Sequence, residues 1–239
     1  MKGLHIITPV KDSRETTERT IDAILTSKTN FRFDYTVYND FSNDLNTNHL
    51  IYLAKTYNFN LVNLKEVTTH PSPNYYLVLQ MAISSALTDN AHLLIIESDV
   101  IVRENTIQQL YDYAESLERA GMVSAVTTDE NGVVNFPYLY AKKFETGVVS
   151  TRKRISFCCT LLHNSLLKYL GTGTLSPQKD WFDIQVSRIS LREKFRNYLI
   201  TSCPVRHLPH SSRPWKQLKY TSPLKYYWLK WTGQLKTTK

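Results

Sequence analysis

The chain has 239 residues, of which 42% are hydrophobic and only 7 are glycine. This length and composition suit one large or two small globular domains and exclude a collagen-like or low-complexity chain. Lysine and arginine number 29 against 21 aspartate and glutamate, a formal net charge of +8. Such an excess suggests an anionic partner, which in general is nucleic acid, an acidic membrane surface or a phosphorylated ligand.

No stretch has the features of a secretory signal or a membrane span. The first apolar run, residues 4–7, ends at Thr8 and Pro9. A signal peptide needs roughly 7–15 apolar residues and a bilayer span needs about 20. We therefore expect a cytoplasmic or peripheral protein.

The cysteines give neither a disulfide framework nor a Cys-x-x-Cys metal pair. There are three of them, Cys158, Cys159 and Cys203, and two are adjacent. We expect them to be reduced, partly buried apolar residues.

The first hundred residues alternate short apolar runs with longer segments of helical periodicity. This pattern predicts strands at residues 4–8, 35–38, 60–64 and 92–96, and helices at 15–25, 47–57 and 75–87. Alternation of this kind is typical of a doubly wound α/β sheet with parallel strands and right-handed crossovers. Ligands of such sheets bind beyond the carboxyl ends of the strands.

Polar clusters follow three of these strands, in residues 8–12, 39–44 and 97–99. If this edge binds a nucleoside diphosphate, a divalent cation has to lie between the carboxylates and the phosphates, because like charges repel. The alternative is that these residues are ordinary turn formers and helix caps.

The first two clusters resemble loops of the family 2 glycosyltransferases, which have the GT-A fold and act in bacterial polysaccharide synthesis. Residues 4–12 are similar to the family's first strand and its Pro-x-x-Asn/Asp loop. Residues 39–44 are similar to its Asp-Asp-Gly-Ser-x-Asp loop, with Asn39 in place of the first acid and Phe41 in place of the glycine.

Two further segments extend the resemblance over about residues 3–110. Residues 78–86 are similar to the helix Ala-Arg-Asn-x-Gly-Ile-x-x-Ala, without its arginine and glycine. Residues 94–99 resemble the strand that ends in Asp-x-Asp, with Glu97 in the first position.

This resemblance implies a mixed, mainly parallel α/β sheet flanked by helices. It also implies which residues bind the donor nucleotide: Thr8, Pro9, Lys11, Asp12, Asn39, Asp40, Gln80, Glu97 and Ser98. Within that set, Asp40 with Asn39 is expected to bind the base, and Glu97 the ribose or the donor sugar. Asp99 is expected to bind Mn²⁺ or Mg²⁺ at the diphosphate. UDP is the favoured nucleotide, with GDP or dTDP as alternatives because the Asn39 amide both donates and accepts.

The second half has to supply the catalytic base. Residues 171–188 resemble the family's glycine-containing loop and the helix that begins Glu-Asp-x-Asp. An inverting transfer needs a carboxylate that removes the acceptor hydroxyl's proton, and Asp180 and Asp183 share a helix face. We favour Asp180, at the helix start. The alternative is that Asp180 only caps a helix whose apolar face includes Trp181 and Ile184.

By the same resemblance, a histidine after the last core strand reaches the metal or the diphosphate. His207 is in that place, and His210 is the alternative. A neutral imidazole can complete an oxygen-rich metal site. With Arg206 and Arg213 nearby, two further interpretations are direct phosphate binding and a surface loop with unrelated histidines.

The tail, residues 213–239, contains seven basic residues and no acidic one, whereas the rest of the chain has 22 basic and 21 acidic residues. On a helix, Leu224, Trp228, Trp231 and Leu235 form one stripe with lysines on either side. This pattern is typical of a helix that lies on an anionic membrane. The alternative is a tail that folds back on the catalytic domain or forms a partner interface.

We therefore predict a nucleotide-sugar-binding half in residues 1–110, an acceptor-binding and catalytic half of the same domain in 111–212, and a basic amphipathic tail in 213–239. The predicted activity is inverting, metal-dependent transfer of a hexose to a hydroxyl of a saccharide or lipid-linked glycan, at the inner face of the cell membrane.

Two other classes of protein fit the sequence less well. A GT-A-like nucleotidyltransferase normally has a Gly-x-Gly-x-Arg loop after the first strand, and residues 8–11 lack it. A non-catalytic basic protein that binds nucleic acid would carry a nucleic-acid-binding motif, and none is present. A non-catalytic membrane-associated protein is the remaining alternative.

Overall fold

A computed structural model of the chain describes residues 2–171, 173–178, 181–208 and 222–232. Two residues with predicted roles, Asp180 and His210, lie outside the described residues, as do residues 209–221 and 233–239. The chain divides into two compact units, Met1–His207 and Leu208–Lys239.

The first unit alternates strands and helices over its N-terminal half. Its strands are β1 (Gly3–Val10), β2 (Asp34–Asn39), β3 (Asn60–Asn63), β4 (Ala91–Ile96), β5 (Val100–Ile101), β6 (Ala120–Thr128), β7 (Val148–Thr151), β8 (Cys159–Leu162) and β9 (Arg196–His207). Its helices are α1 (Arg14–Leu25), α2 (Asp44–Tyr57), α3 (Tyr75–Thr88), α4 (Thr106–Ser116), α5 (Asn164–Leu170) and α6 (Phe182–Arg192). Every element predicted in the first hundred residues is therefore confirmed, with ends that differ by at most three residues.

One mixed sheet runs through this unit in the order β3-β2-β1-β4-β8-β6-β9-β5, and β7 pairs with β9. Strands β3, β2, β1 and β4 are adjacent in the sheet and run parallel to one another. Strand β8 is antiparallel to both β4 and β6, and β9 is parallel to β6. The mixed α/β class is thus confirmed, and β1, β2 and β4 all bring their carboxyl ends to one edge.

Helices cover both faces of the sheet. Helices α1, α2 and α4 pack on one face, and α3, α5 and α6 pack on the other. Along β4, Leu94 and Ile96 face the first layer while Leu93 and Ile95 face the second. A strand that is buried on both faces requires a nearly continuous apolar run, and the sequence of β4 provides one, interrupted only by His92.

Only the second half of residues 155–162 forms a strand. All of these residues are buried, but β8 begins only at Cys159. The backbone amide of Ser156 donates to the Tyr138 hydroxyl at 2.9 Å instead of to a neighbouring strand. The resulting turn places Cys158 beside the end of β4. There the Cys158 carbonyl accepts a hydrogen bond from the backbone amide of Glu97, the residue that follows β4.

The predicted apolar face of α6 is wrong at Trp181. Because the helix begins at Phe182, its buried apolar residues are Phe182, Val186 and Ile189. Trp181 precedes the helix and is 60% exposed.

The second unit contains α7 (Pro223–Trp231). Pro223 is at the first helical turn, where a missing amide hydrogen breaks no helical bond. Leu224, Trp228 and Trp231 are exposed, and Leu235 lies outside the described residues. Among the described helices, none is long and apolar enough to cross a membrane.

Candidate active site

Hydrogen bonds join the loops after β1 and β2 at the carboxyl edge of the sheet. Val10 and Asn39 are paired at the two strand ends. The Asp12 amide donates to Ser42 Oγ at 3.1 Å, and the Asp12 carboxylate accepts from the Asn43 amide at 2.8 Å. Asn43 caps α2, so the Asp12 carboxylate lies at a helix N-terminus, where negative charge is favoured. Asp12 therefore holds the two predicted donor-binding loops together.

The other predicted residues of the first loop differ in exposure. Thr8 is fully buried and its Oγ1 accepts from the Tyr35 hydroxyl at 3.0 Å. Pro9 is half-buried, whereas Lys11 is exposed. Lys11 thus offers a cationic group to an anionic ligand at this edge.

Asn39 ties three elements together. Its side-chain amide donates to Thr47 Oγ1 and to Asn63 Oδ1, both at 3.0 Å, and its carbonyl oxygen accepts from the Ser42 amide at 3.3 Å. An ionised aspartate has no hydrogen to donate. These contacts give a physical reason for an amide where the resembled motif has an acid.

Asp40 anchors the segment that leads into α3. Its carboxylate accepts from Ser72 Oγ at 2.7 Å, from the Asn74 backbone amide at 2.9 Å and from the Asn74 side chain at 2.8 Å. Sequence reasoning missed Ser72 and Asn74. The available signal was an asparagine immediately before a helical pattern, which marks a helix start without indicating its partner.

Phe41 has the backbone conformation that glycine adopts most readily. Its φ angle is 57°, in the left-handed region, at the position where the resembled motif has glycine. This conformation costs a non-glycine residue about 1–2 kcal/mol. The Phe41 ring packs against the second apolar layer, and this packing offsets the cost.

The structure brings the two predicted metal ligands together. Glu97, Ser98 and Asp99 form the turn between β4 and β5, and the antiparallel β5–β9 pair sets Val100 opposite His207. As a result, His207 Nε2 lies 3.3 Å from Asp99 Oδ2. The Asp99 side chain is fully buried, and the His207 side chain is 14% exposed.

The surroundings of His207 favour a positive charge on it. Its Nδ1 donates to the Phe136 carbonyl at 2.9 Å, which directs Nε2 towards Asp99. Burial lowers the pKa of His207, but the hydrogen bond to Asp99 and the charges of Asp99 and Glu97 outweigh it, so the pKa lies above its usual value of 6.5. When protonated, His207 pairs its positive charge with the buried Asp99 carboxylate, as a metal ion would.

The donor set fits a divalent cation. Asp99 and Glu97 offer carboxylate oxygens, and His207 offers a ring nitrogen that is oriented by its second hydrogen bond. Because Nε2 has to lose its proton to bind a metal, binding would release a proton.

Cys158 faces the same centre, and sequence reasoning missed it. Its thiol donates to Glu97 Oε2 at 3.3 Å, and one ligand atom each of Glu97, Cys158 and His207 lie within 4.8 Å of one another. Burial, together with the charges of Glu97 and Asp99, raises the pKa of the thiol well above its usual value. All three cysteines are free, and they are buried more completely than the predicted partial burial. No sequence pattern distinguishes the one at the site from the other two.

Tyr75 is a second residue that sequence reasoning missed. Its ring is nearly parallel to the rings of Phe157 and Phe182, at interplanar angles of 8° and 9°. Burial and the nearby charges of Glu97 and Asp183 raise the pKa of its hydroxyl well above 10.0. Helical periodicity assigns Tyr75 to the core, and its buried hydroxyl lies within the electrostatic influence of Glu97 and Asp183.

Asp183 is held in an ion pair. Its Oδ2 accepts from Arg154 Nε at 2.7 Å and from Arg154 Nη2 at 2.6 Å, and its Oδ1 accepts from the Ile184 amide at 2.8 Å. Burial raises the pKa of Asp183, although Arg154 opposes this shift. Both carboxylate oxygens are therefore engaged. The other candidate base, Asp180, lies outside the described residues.

The remaining predicted donor-binding residues differ in their positions. Ser98 is buried in the turn after β4. Gln80 is exposed on α3 and donates to the Tyr76 hydroxyl of the same helix at 3.1 Å.

A second polar cluster lies at the opposite edge of the sheet, at the start of β4 and the end of β8. His92 Nε2 lies 2.8 Å from a Glu115 oxygen, and His163 Nε2 lies 3.7 Å from it. The Nδ1 atoms of both histidines accept backbone hydrogen bonds, from Asn164 at 3.0 Å and from Ser165 at 3.2 Å. The neutral His92 ring therefore carries its proton on Nε2 and donates it to Glu115.

This cluster predicts acid sensitivity. Burial, together with His92 and Lys2, lowers the pKa of His163 from 6.5 to about 4. Between these two values the unfolded chain binds a proton that the folded chain does not, so stability is full above pH 6.5 and falls as the pH decreases towards 4. The expected loss is about 3 kcal/mol.

Urea unfolding at pH 7.5 and pH 4.5 measures this loss. His163→Asn keeps an acceptor for the Ser165 amide and removes the titrating group, so the difference between the two pH values should shrink. The same substitution at His49 controls for loss of a histidine elsewhere. An equal pH difference in the wild type and in His163→Asn would contradict the assignment.

No known sequence family and no curated protein sequence matches this chain. Solved structures do match it in three dimensions. Residues 1–349 of S. aureus TarS are 13% identical, with a TM-score of 0.61, over 92% of this chain and 63% of that TarS segment. The same TarS segment in complex with UDP-GlcNAc gives a TM-score of 0.62 at 13% identity, over 88% of this chain and 59% of the segment.

A mannosyltransferase from Pyrobaculum calidifontis, solved with GDP-Man and Mn²⁺, also matches. It is 15% identical, with a TM-score of 0.64, over 91% of this chain and 61% of the mannosyltransferase. The chain thus spans about three fifths of the length of these structures. At such low identity the likeness shows the fold: the chain has the GT-A fold of glycosyltransferases.

Proposed function

We propose that this protein is a metal-dependent, inverting glycosyltransferase that moves a hexose from a nucleotide sugar to a hydroxyl of a saccharide or lipid-linked glycan in cell-surface polysaccharide synthesis. One observation carries the proposal: the fully buried Asp99 carboxylate lies 3.3 Å from His207 Nε2 at the carboxyl edge of a GT-A sheet. Solved neighbours in complex with UDP-GlcNAc, and with GDP-Man and Mn²⁺, support it. UDP is the proposed donor nucleotide.

On the donor side, the loops that Asp12 joins form the proposed base and ribose site. The Asp40 carboxylate has about four acceptor positions, and protein donors occupy three of them. The fourth is left for an N–H group of the base. Lys11, exposed at the same edge, would contact the anionic part of the donor.

Asp99, His207 and Glu97 are the proposed ligands of Mn²⁺ or Mg²⁺. When bound, the cation neutralises the diphosphate and stabilises the charge of the leaving nucleotide. The protein's own part is to hold the ligands in place. The Phe136 carbonyl fixes the His207 ring and the β5–β9 pair fixes its distance from Asp99.

The proposed base is Asp180, which takes the proton from the acceptor hydroxyl as its oxygen attacks the anomeric carbon opposite the leaving nucleotide. Asp183 is the weaker candidate because Arg154 and a backbone amide already engage both of its oxygens. We assign to Asp183 the role of holding Arg154 in place.

The proposal is tested with the full chain, Mn²⁺ and a panel of UDP-, GDP- and dTDP-hexoses. We expect nucleoside diphosphate release from one donor class, loss of release with EDTA and recovery with added Mn²⁺. A folded protein that neither binds nor turns over any donor would overturn the proposal. Pyrophosphate release from a nucleoside triphosphate and a sugar phosphate would instead indicate a nucleotidyltransferase.

For location, we propose that the tail docks on the anionic inner face of the cell membrane. Within α7, Leu224 is 87% exposed and Trp231 is 86% exposed, and Trp228 and Tyr227 are exposed as well. Lys225 and Lys230 are exposed on the same helix. Apolar and aromatic groups beside lysines combine burial in the lipid interface with attraction to anionic headgroups.

Deletion of residues 213–239 should abolish sedimentation with anionic liposomes and leave donor hydrolysis intact. The double variant Trp228→Ser/Trp231→Ser should reproduce most of this loss, because each tryptophan contributes to membrane binding through the apolar area that it buries in the lipid interface. Leu45→Ser, which removes a 68% exposed leucine of α2, is the matched control. Unchanged sedimentation of the deletion variant would contradict the docking assignment.

A further inference from the structure

We infer that the metal centre is a mixed-donor site in which Cys158 is a ligand. The site would then bind Zn²⁺ and Cd²⁺ through a thiolate, and with these ions it would have no coordination position left for the donor. The inference deepens the proposed metal site and rests on the proposed function for its consequence, inhibition. The binding itself can be measured without any sugar transfer.

The distances suit a shared ion. The donor atoms of Glu97, Cys158 and His207 lie within 4.8 Å of one another, and Cys158 Sγ is 3.3 Å from Glu97 Oε2. Zinc bonds of about 2.0–2.3 Å in a tetrahedron place the ligand atoms about 3.3–3.8 Å apart. The thiol–carboxylate pair already has this spacing, and the imidazole needs a shift of at most about 1 Å.

The thiol is held in this position by the backbone of two strands. The Glu97 amide donates to the Cys158 carbonyl at 2.9 Å, and the adjoining residues Ile96 and Cys159 are paired across β4 and β8. Cys158 is 2% exposed. Its position beside the carboxylate is therefore a property of the sheet and does not depend on a surface loop.

The donor set determines metal preference. Carboxylates suit Mg²⁺ and Mn²⁺, whereas thiolate and imidazole together favour Zn²⁺ and Cd²⁺. On binding, the Cys158 thiol gives its proton to solvent and the sulfur donates an electron pair to the ion. With Asp99, 3.3 Å from His207, as the fourth donor, four protein ligands complete a tetrahedral shell. A closed shell leaves no position for a diphosphate oxygen, so these ions should inhibit.

The test is a Cd²⁺ titration of the full chain, in which binding is monitored through the ultraviolet charge-transfer absorption of cadmium–thiolate bonds. We expect a band that saturates at one equivalent in the wild type and is lost in Cys158→Ser, with Cd²⁺ affinity reduced at least about tenfold. Cys159→Ser and Cys203→Ser, at the two other buried cysteines, are the matched controls and should keep the band.

A saturating band that persists in Cys158→Ser overturns the inference. So does the absence of a band in a wild type that binds Mn²⁺, and in that case the proposed function stands. If the wild type binds none of these ions, the inference and the metal dependence of the proposed function both fail.

A second measurement needs no variant. X-ray absorption of the Zn²⁺-loaded wild type should show one sulfur neighbour at about 2.3 Å. A shell of oxygen and nitrogen alone would exclude Cys158 as a ligand, whatever the folding of the cysteine variants.

Discussion

Asp99→Asn should lower metal-dependent donor turnover by about 10³-fold. Asp99 is the fully buried carboxylate of the site, and the substitution keeps its shape while removing its charge. An amide is a much poorer ligand for a divalent cation. The substitution also removes the Asp99 charge, which is the main cause that raises the pKa of His207. His207 therefore loses its carboxylate partner in the site.

The measurement is the initial rate of nucleoside diphosphate release at saturating donor over a range of Mn²⁺ concentrations. Asp44→Asn, which changes a 95% exposed carboxylate at the first turn of α2, is the matched control and should retain full activity. Thermal melting without metal shows whether the Asp99 variant is folded. A folded variant that keeps more than about a tenth of wild-type turnover would remove Asp99 from the proposed metal site.

The sheet could be predicted from the sequence because its N-terminal half follows simple periodic patterns. The apolar run of β4 requires burial on both faces, and helices on both sides of the sheet provide it. The second half has weaker signals. Around Ser156, side-chain hydroxyls take the place of strand partners, and apolar periodicity carries no information about such contacts.

The meeting of Asp99 and His207 was predicted through resemblance and not through any local pattern. It depends on β5, a strand of two residues, pairing with the end of β9. A strand this short has no measurable periodicity. The position of Cys158 depends in turn on the length of β8, and a buried cysteine reads as core in any sequence.

Asn39 shows why the resemblance alone was incomplete. As a departure from an acidic motif, it left the identity of the base open. In the structure its two donated hydrogen bonds join the ends of β2 and β3 and the first turn of α2. The departure is therefore accounted for by packing of the protein itself, and Asp40 is the residue of the pair that retains a carboxylate at the edge.

Asp180→Asn and Asp183→Asn should separate catalysis from stability. If Asp180 is the base, its amide variant lowers the rate of donor hydrolysis by about 10³-fold, because the attacking oxygen keeps its proton. Donor affinity and melting temperature should stay near their wild-type values. The pH profile should also lose the limb that reports ionisation of the base.

Asp183→Asn should act mainly on the fold. It removes the charge that pairs with Arg154, whose side chain is 34% exposed. Because Arg154 donates to one carboxylate oxygen and the Ile184 amide donates to the other, the new NH2 group has to face one of these two donors. Breaking a buried pair costs about 3–5 kcal/mol, and partial exposure of the arginine reduces this to about 1–2 kcal/mol. Urea unfolding measures the loss, and Arg154→Gln in the same background should add little, since its partner is already gone.

The opposite result for the two variants would identify the base as well. If Asp183→Asn abolishes hydrolysis in a protein of wild-type stability while Asp180→Asn remains active, then Asp183 is the base, and Arg154 has to move away from it when the acceptor binds. The raised pKa of Asp183, caused by burial against the pull of Arg154, is compatible with that role once the arginine leaves. The two variants therefore assign the base from rates and unfolding energies together, because both oxygens of Asp183 have partners only while Arg154 and the backbone of α6 remain in place.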